Sequence, residues 1–81
     1  MATILFFGRL SESSDAINGA LPDYVQTTDD VIAWLSERDD GLKAALATPG
    51  NRIAVNKTII SKSMPVSDAD EIAFMSPLSG G

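Results

Sequence analysis

The chain has no cysteine and no histidine among its 81 residues. Without cysteine there is no disulfide staple, no thiolate nucleophile and no thiolate metal ligand, so packing alone must hold the fold, as suits a reducing compartment. Without histidine the usual neutral-pH general base is gone, and no catalytic triad can be assembled. The scattered carboxylates show neither metal-ligand spacing nor an acid/base pair. A self-contained enzyme with a side-chain active site is disfavoured. Positive charge is also scarce: six Lys and Arg against eleven Asp and Glu give a net charge of −5 and an isoelectric point near 4.3. Such a surface repels nucleic acid and anionic membranes and suits a basic partner. No apolar run approaches the roughly 18 residues of a membrane span, and the N-terminus lacks the basic start and apolar stretch of a signal peptide. The chain reads as cytoplasmic.

What is present suffices for one small domain. Hydrophobic residues make up 44% of the chain and charged residues 21%, the balance of a globular protein rather than a disordered one. A domain of this size buries roughly 60–65% of the surface its unfolded chain exposes, enough for one core and no internal cleft.

Ile4-Leu5-Phe6-Phe7 is a short apolar run with strand-forming residues. Alternation places Ile4 and Phe6 on one side and Leu5 and Phe7 on the other, so one side is core and Phe7 is a candidate contact residue. Residues 9–22 dissolve into Ser, Asp, Asn and Gly with Ile17 and Leu21 as isolated apolar anchors, a loop with one helical turn through Ser11 to Ala16. Asp23-Tyr24-Val25-Gln26 is expected to pair with the first strand as an edge. Thr27-Thr28-Asp29-Asp30 is a helix start, with hydroxyls to cap free amides and acids at the positive end of the dipole. Val31, Trp34 and Leu35 follow at helical spacing and form one core stripe. The polar Ser36 to Gly41 stops or kinks that helix, and Leu42, Ala45 and Leu46 suggest a shorter segment before the break at Thr48-Pro49-Gly50-Asn51. Arg52 to Val55 and Thr58 to Ile60 form a hairpin about Asn56-Lys57, in which Lys57 is a poorer second turn residue than glycine. After a turn at residues 67–70, Glu71 to Met75 alternates with Ile72 and Phe74 inward, which leaves Met75 exposed beside Leu78. Short strands around one main helix predict an α+β fold, a mixed sheet of four to five strands with the helix on one face, as in a β-grasp.

The sequence closes on Pro77-Leu78-Ser79-Gly80-Gly81. Gly80 and Gly81 carry no Cβ and fit a slot too narrow for other residues. Pro77 biases Ser76 towards extended backbone, so residues 76–81 read as a flexible tail on a domain of residues 1–75. Five extended residues reach roughly 17 Å, enough to carry a carboxylate into another protein.

Together, Leu5-Phe6-Phe7, Ala54-Val55-Asn56 followed by Thr58, Pro65, Asp68-x-Asp70-Glu71-x-Ala73-Phe74 and Pro77-x-x-Gly80-Gly81 resemble the small, ubiquitin-like sulfur-carrier subunit of molybdopterin synthase. The resemblance is strongest over the last 30 residues and the first strand. It implies a ubiquitin-like β-grasp and a mechanism in which a ubiquitin-activating-type adenylyltransferase uses ATP to adenylate Gly81, after which a sulfur donor protein converts the terminus to a thiocarboxylate. The tail would then enter the active site of the synthase large subunit and supply sulfur to a cyclic pyranopterin monophosphate, once for each sulfur of the dithiolene. A heterotetramer of two small and two large subunits is implied as well. By the resemblance Gly81 and Gly80 are the reacting end, and Pro77, Leu78 and Ser79 bind the partner's channel. Strand alternation adds Phe7, Ile59 and Met75 as an outer apolar patch. The chain itself is expected to bind no cofactor and no metal; ATP and any zinc belong to the activating enzyme. Met75-Ser76 stands where the family suggests Phe-Pro, which softens the tail's base. Other readings are a carrier for thiamine, tRNA thiolation or cysteine synthesis, and a β-grasp interaction module or protein modifier without sulfur chemistry.

Overall fold

A computed structural model describes residues 2–12 and 15–76. Strand β1 (Ala2–Phe7) is followed by a 3₁₀ turn (Gly8–Glu12), β2 (Ile17–Gly19), α1 (Thr28–Arg38), α2 (Asp40–Leu46), β3 (Arg52–Val55), β4 (Thr58–Ile60) and β5 (Glu71–Met75). The strands form one sheet in the order β2-β1-β5-β3-β4, with β5 parallel to β1 and the remaining pairs antiparallel. This is the expected mixed-sheet α+β arrangement, with the helical layer divided into two helices.

The last strand occupies the middle of the sheet because it can be buried there. Ile72, Ala73 and Phe74 are all buried, and Phe74 stacks on Phe6 with ring centroids 5.8 Å apart. Ile4, Phe6, Val55, Ile72 and Phe74 meet Val31 and Leu35 of α1 and Leu42 of α2 in one core. Trp34 is only half-buried at its rim, with the Arg38 guanidinium 4.9 Å from the ring centroid.

Helix α1 begins where its start signal predicts. Thr27 is extended (φ −133°, ψ 168°) and its hydroxyl accepts from the Asp30 amide, while the Asp30 carboxylate accepts from the Thr27 amide in return. Asp39 both ends α1 and caps α2, its carboxylate accepting from the Leu42 amide at 3.0 Å. A carboxylate therefore makes the joint, and Gly41 lies within α2. The β3–β4 turn holds both Asn56 (φ 51°) and Lys57 (φ 71°) in the left-handed region, as a tight two-residue hairpin demands.

Two expectations are corrected between residues 9 and 26. The edge strand is Ile17–Gly19, registered as Ala2↔Gly19, Thr3↔Asn18 and Ile4↔Ile17, rather than Asp23–Gln26. Asp23 and Tyr24 form a turn instead: Val25 donates to the Pro22 carbonyl and is buried, while Tyr24 is 64% exposed. Ile17–Gly19 fills one edge of β1 and β5 the other, so no strand position beside β1 is left for Tyr24 and Val25. The helical turn falls at Gly8–Glu12 rather than at Ser11–Ala16 because Leu10, 1% exposed, anchors it in the core.

Candidate functional site

Register sorts the sheet's side chains by face. Arg52↔Met75, Ala54↔Ala73 and Ala54↔Ile59 pair directly, as do Leu5↔Ala73 and Phe7↔Met75. Directly opposed residues share a face, so Leu5, Phe7, Ala54, Ile59, Ala73 and Met75 all lie on the side away from the core. Phe7 is 49% exposed and Ile59 60%. The predicted outer residues Phe7, Ile59 and Met75 therefore do share one face. Phe7 and Met75 sit side by side, and Ile59 lies three strands across from Phe7 and two residues along, about 16 Å away at the usual strand spacing and rise.

Met75 departs from expectation in one respect, being half-buried rather than exposed. It lies on the central strand with Phe7 on one side and Arg52 on the other, and those neighbours cover its flanks. Between the two ends of the patch, Ala54 and Ala73 offer only methyl groups. The face is thus a shallow apolar saddle, low in the middle and raised at Leu5, Phe7, Met75 and Ile59. Leu5 and the two alanines were missed as site residues, although the alternation that selected Phe7 already placed Leu5 beside it. Exposed Arg52 borders the patch at the level of Met75 and supplies a cation there.

The end of β5 is tied to the end of β1. Ser76 donates from its amide to the Phe7 carbonyl at 3.4 Å, and its hydroxyl reaches the same oxygen at 3.5 Å. Pro77, Leu78, Ser79, Gly80 and Gly81, the predicted tail, lie outside the described residues.

The opposite end of β5 is tied down by the motif residues Asn56 and Asp70. Asn56 donates to the Asp70 carboxylate at 2.9 Å and accepts from the Glu71 amide at 3.0 Å, and Asp70 also accepts from the Ser67 amide at 2.7 Å. The Asn56 amide, then the Ser67 backbone, hold the Asp70 carboxyl below its ordinary value. Asp30 is lowered chiefly by the Gln26 amide, with the Thr27 amide and hydroxyl contributing. Both carboxylates are acceptors within the fold.

Among the described residues no group of acidic side chains could hold a metal ion. A depression of about 450 Å³ at the start of α1, lined by Thr28, Asp29, Asn51, Arg52, Lys62 and Ser63 among others, contains no nucleophile–base pair. No helix among the described residues is long and apolar enough to cross a membrane.

Over its full length the chain is 34% identical to the molybdopterin synthase sulfur carrier subunit of Haemophilus influenzae, which it covers completely. It is 32% identical to the subunit of the same name from Escherichia coli K12, again with both chains fully covered. Residues 4–81 match the model of the ThiS family, and the chain belongs to that family.

Proposed function

We propose that this protein is the sulfur-carrier subunit of a molybdopterin synthase, with the Gly81 carboxylate as its reacting group. The observation that carries the reading is positional: the central strand runs out beside Phe7 on an open apolar face, six residues before Gly81. Two full-length relatives bearing that subunit's name favour this acceptor over those of other sulfur-carrier pathways.

The chemistry then divides between chains. A carboxylate resists nucleophilic attack, so an activating enzyme of the ubiquitin-activating type couples it to ATP, releasing pyrophosphate and leaving AMP as the departing group. A donor protein supplying sulfur at the hydrosulfide level displaces AMP and leaves a terminal thiocarboxylate. That sulfur is a better nucleophile than a carboxylate oxygen and attacks a carbon of the pterin precursor in the large subunit, forming a C–S bond as the C–O bond at that carbon breaks and its oxygen departs. Water cleaves the resulting thioester and returns the carboxylate for another round. This chain contributes the terminus, the docking saddle and a tail ending in two residues without Cβ. The catalytic side chains, ATP and any zinc belong to the partners. The setting is cytoplasmic, where the partners and a reduced sulfur donor occur together.

Intact mass tests the reading. Incubation with the activating enzyme, ATP and a sulfur donor should add about 16 Da on the fragment that ends at Gly81, since one oxygen is replaced by sulfur. Placement on that fragment separates the change from oxidation of Met1, Met64 or Met75. Deleting Gly81 should abolish both the mass change and sulfur transfer while the fold persists. Normal transfer without Gly81 would refute the carrier mechanism.

A further inference from the structure

The start of the tail is held by a residue that neither the motif nor the docking face accounts for. Gly8 follows the last residue of β1 and takes φ +67°, a conformation that side chains with a Cβ adopt at a cost. It turns the chain so that Leu10 enters the core, and the Ser11 hydroxyl closes the turn by donating to the Gly8 carbonyl at 2.7 Å. The turn also vacates the space in line with the end of β5. Ser76 occupies that space: a Cβ built on Gly8 would collide with the Ser76 hydroxyl oxygen.

Both Ser76 groups converge on the Phe7 carbonyl at 3.4 and 3.5 Å, so each bond is weak. Their combined effect on stability is small. Their geometric effect is larger, because two bonds to one oxygen restrict the Ser76 backbone more than either does alone. Ser76 is also the last residue before Pro77, whose ring already disfavours the helical region for its predecessor.

We propose that Gly8 and Ser76 form a positioning pair for the terminal segment: the missing Cβ of Gly8 leaves room for Ser76 to hold the Phe7 carbonyl, and that hold sets where residues 77–81 leave the sheet. The inference rests on the carrier reading and adds a residue far from the terminus in sequence. A terminus held at a defined starting point searches less volume before entering a partner's channel, which raises the fraction of encounters that react.

Gly8→Asn isolates the steric element, since asparagine tolerates positive φ but brings a Cβ against Ser76. It is compared with Ser76→Ala and with the double variant, in which the hydroxyl that meets the new Cβ is gone. Sulfur transfer by the thiocarboxylated Gly8→Asn chain at saturating large subunit should fall about tenfold, and hydrogen exchange at the Ser76 amide should quicken. The melting temperature should move by less than about 4 °C, and affinity for the large subunit by less than about twofold. The double variant should recover to the level of Ser76→Ala alone. Transfer by Gly8→Asn equal to wild type, a double variant no better than Gly8→Asn, or an affinity loss that explains the rate would each overturn the positioning role. A wild-type chain that never acquires the thiocarboxylate would instead refute the carrier reading, and the positioning role with it.

Discussion

On the inner face of the sheet Ile4, Ile72 and Phe74 lie beneath the helices with almost no exposed surface, whereas on the outer face Phe7 and Ile59 leave about half or more of theirs in water. The two faces come from the same strands and the same alternation. They differ in what covers them: the inner face carries stability, and the proposed reading gives recognition to the outer one. Burial of a large apolar side chain contributes about 1.5–3 kcal/mol. The inner residues contribute it when the chain folds, while the exposed outer ones do not, and under the proposed function they contribute it on docking. The largest effect should therefore come from Phe74→Ala, which removes a ring stacked on Phe6 and should cost about 3–5 kcal/mol. For a domain this small that means a melting temperature lower by about 15–30 °C. A loss below about 1 kcal/mol in chemical denaturation would show that the core lies elsewhere.

A smaller effect should separate the two ends of β5. The Asn56–Asp70 network holds the strand's start, and the lowered Asp70 carboxyl makes its contribution pH-dependent. Because its folded-state value lies below the ordinary 3.8, the unfolded chain takes up the proton first as the solution is acidified. The contribution is thus complete above that ordinary value and is lost as pH falls through the lower folded one. Asp70→Asn should cost at most about 1 kcal/mol at neutral pH, since the site is open to solvent, and the difference from wild type should vanish in strong acid. A difference that persists unchanged below that window would mean the charge of Asp70 is not what holds the turn.

The inner face was legible because Ile72 and Phe74, like Ile4 and Phe6, alternate in sequence as they do in space. The capping box at Thr27 and the Asn56-Lys57 turn were legible for the same reason: each is decided by residues that are neighbours in the chain. The second strand was not. Ile17-Asn18-Gly19 has little strand propensity and pairs because β1 offers it an edge and Asn18 accepts from the Thr3 hydroxyl at 3.1 Å. Tyr24-Val25 has the propensity but lacks the position, so tertiary placement overrides it. At the site, alternation gave the face of Phe7, Ile59 and Met75 but not the depth of each residue. That Met75 is half-buried depends on β5 being central, which no local pattern announces. The role of Gly8 was hidden for a related reason, since its neighbour in space is 68 positions away in the chain.

The smallest effect on stability should come from the outer face, and it sharpens the comparison most. Ile59 lies on the edge strand β4 with 60% of its surface exposed, so Ile59→Asp removes little burial and should alter stability by no more than about 0.5 kcal/mol. In a complex the same carboxylate would be desolvated against apolar surface, and affinity for the large subunit should fall at least about tenfold. Met75→Asp should weaken binding similarly, with a somewhat larger cost to the fold because that side chain is half-buried. Titration of each variant against the large subunit, beside its denaturation curve, separates the two quantities. If both bind as wild type does, the saddle between Phe7 and Ile59 is not the docking surface. If both bind poorly only because they unfold, the division of labour between the faces fails, because the outer residues would then belong to the core.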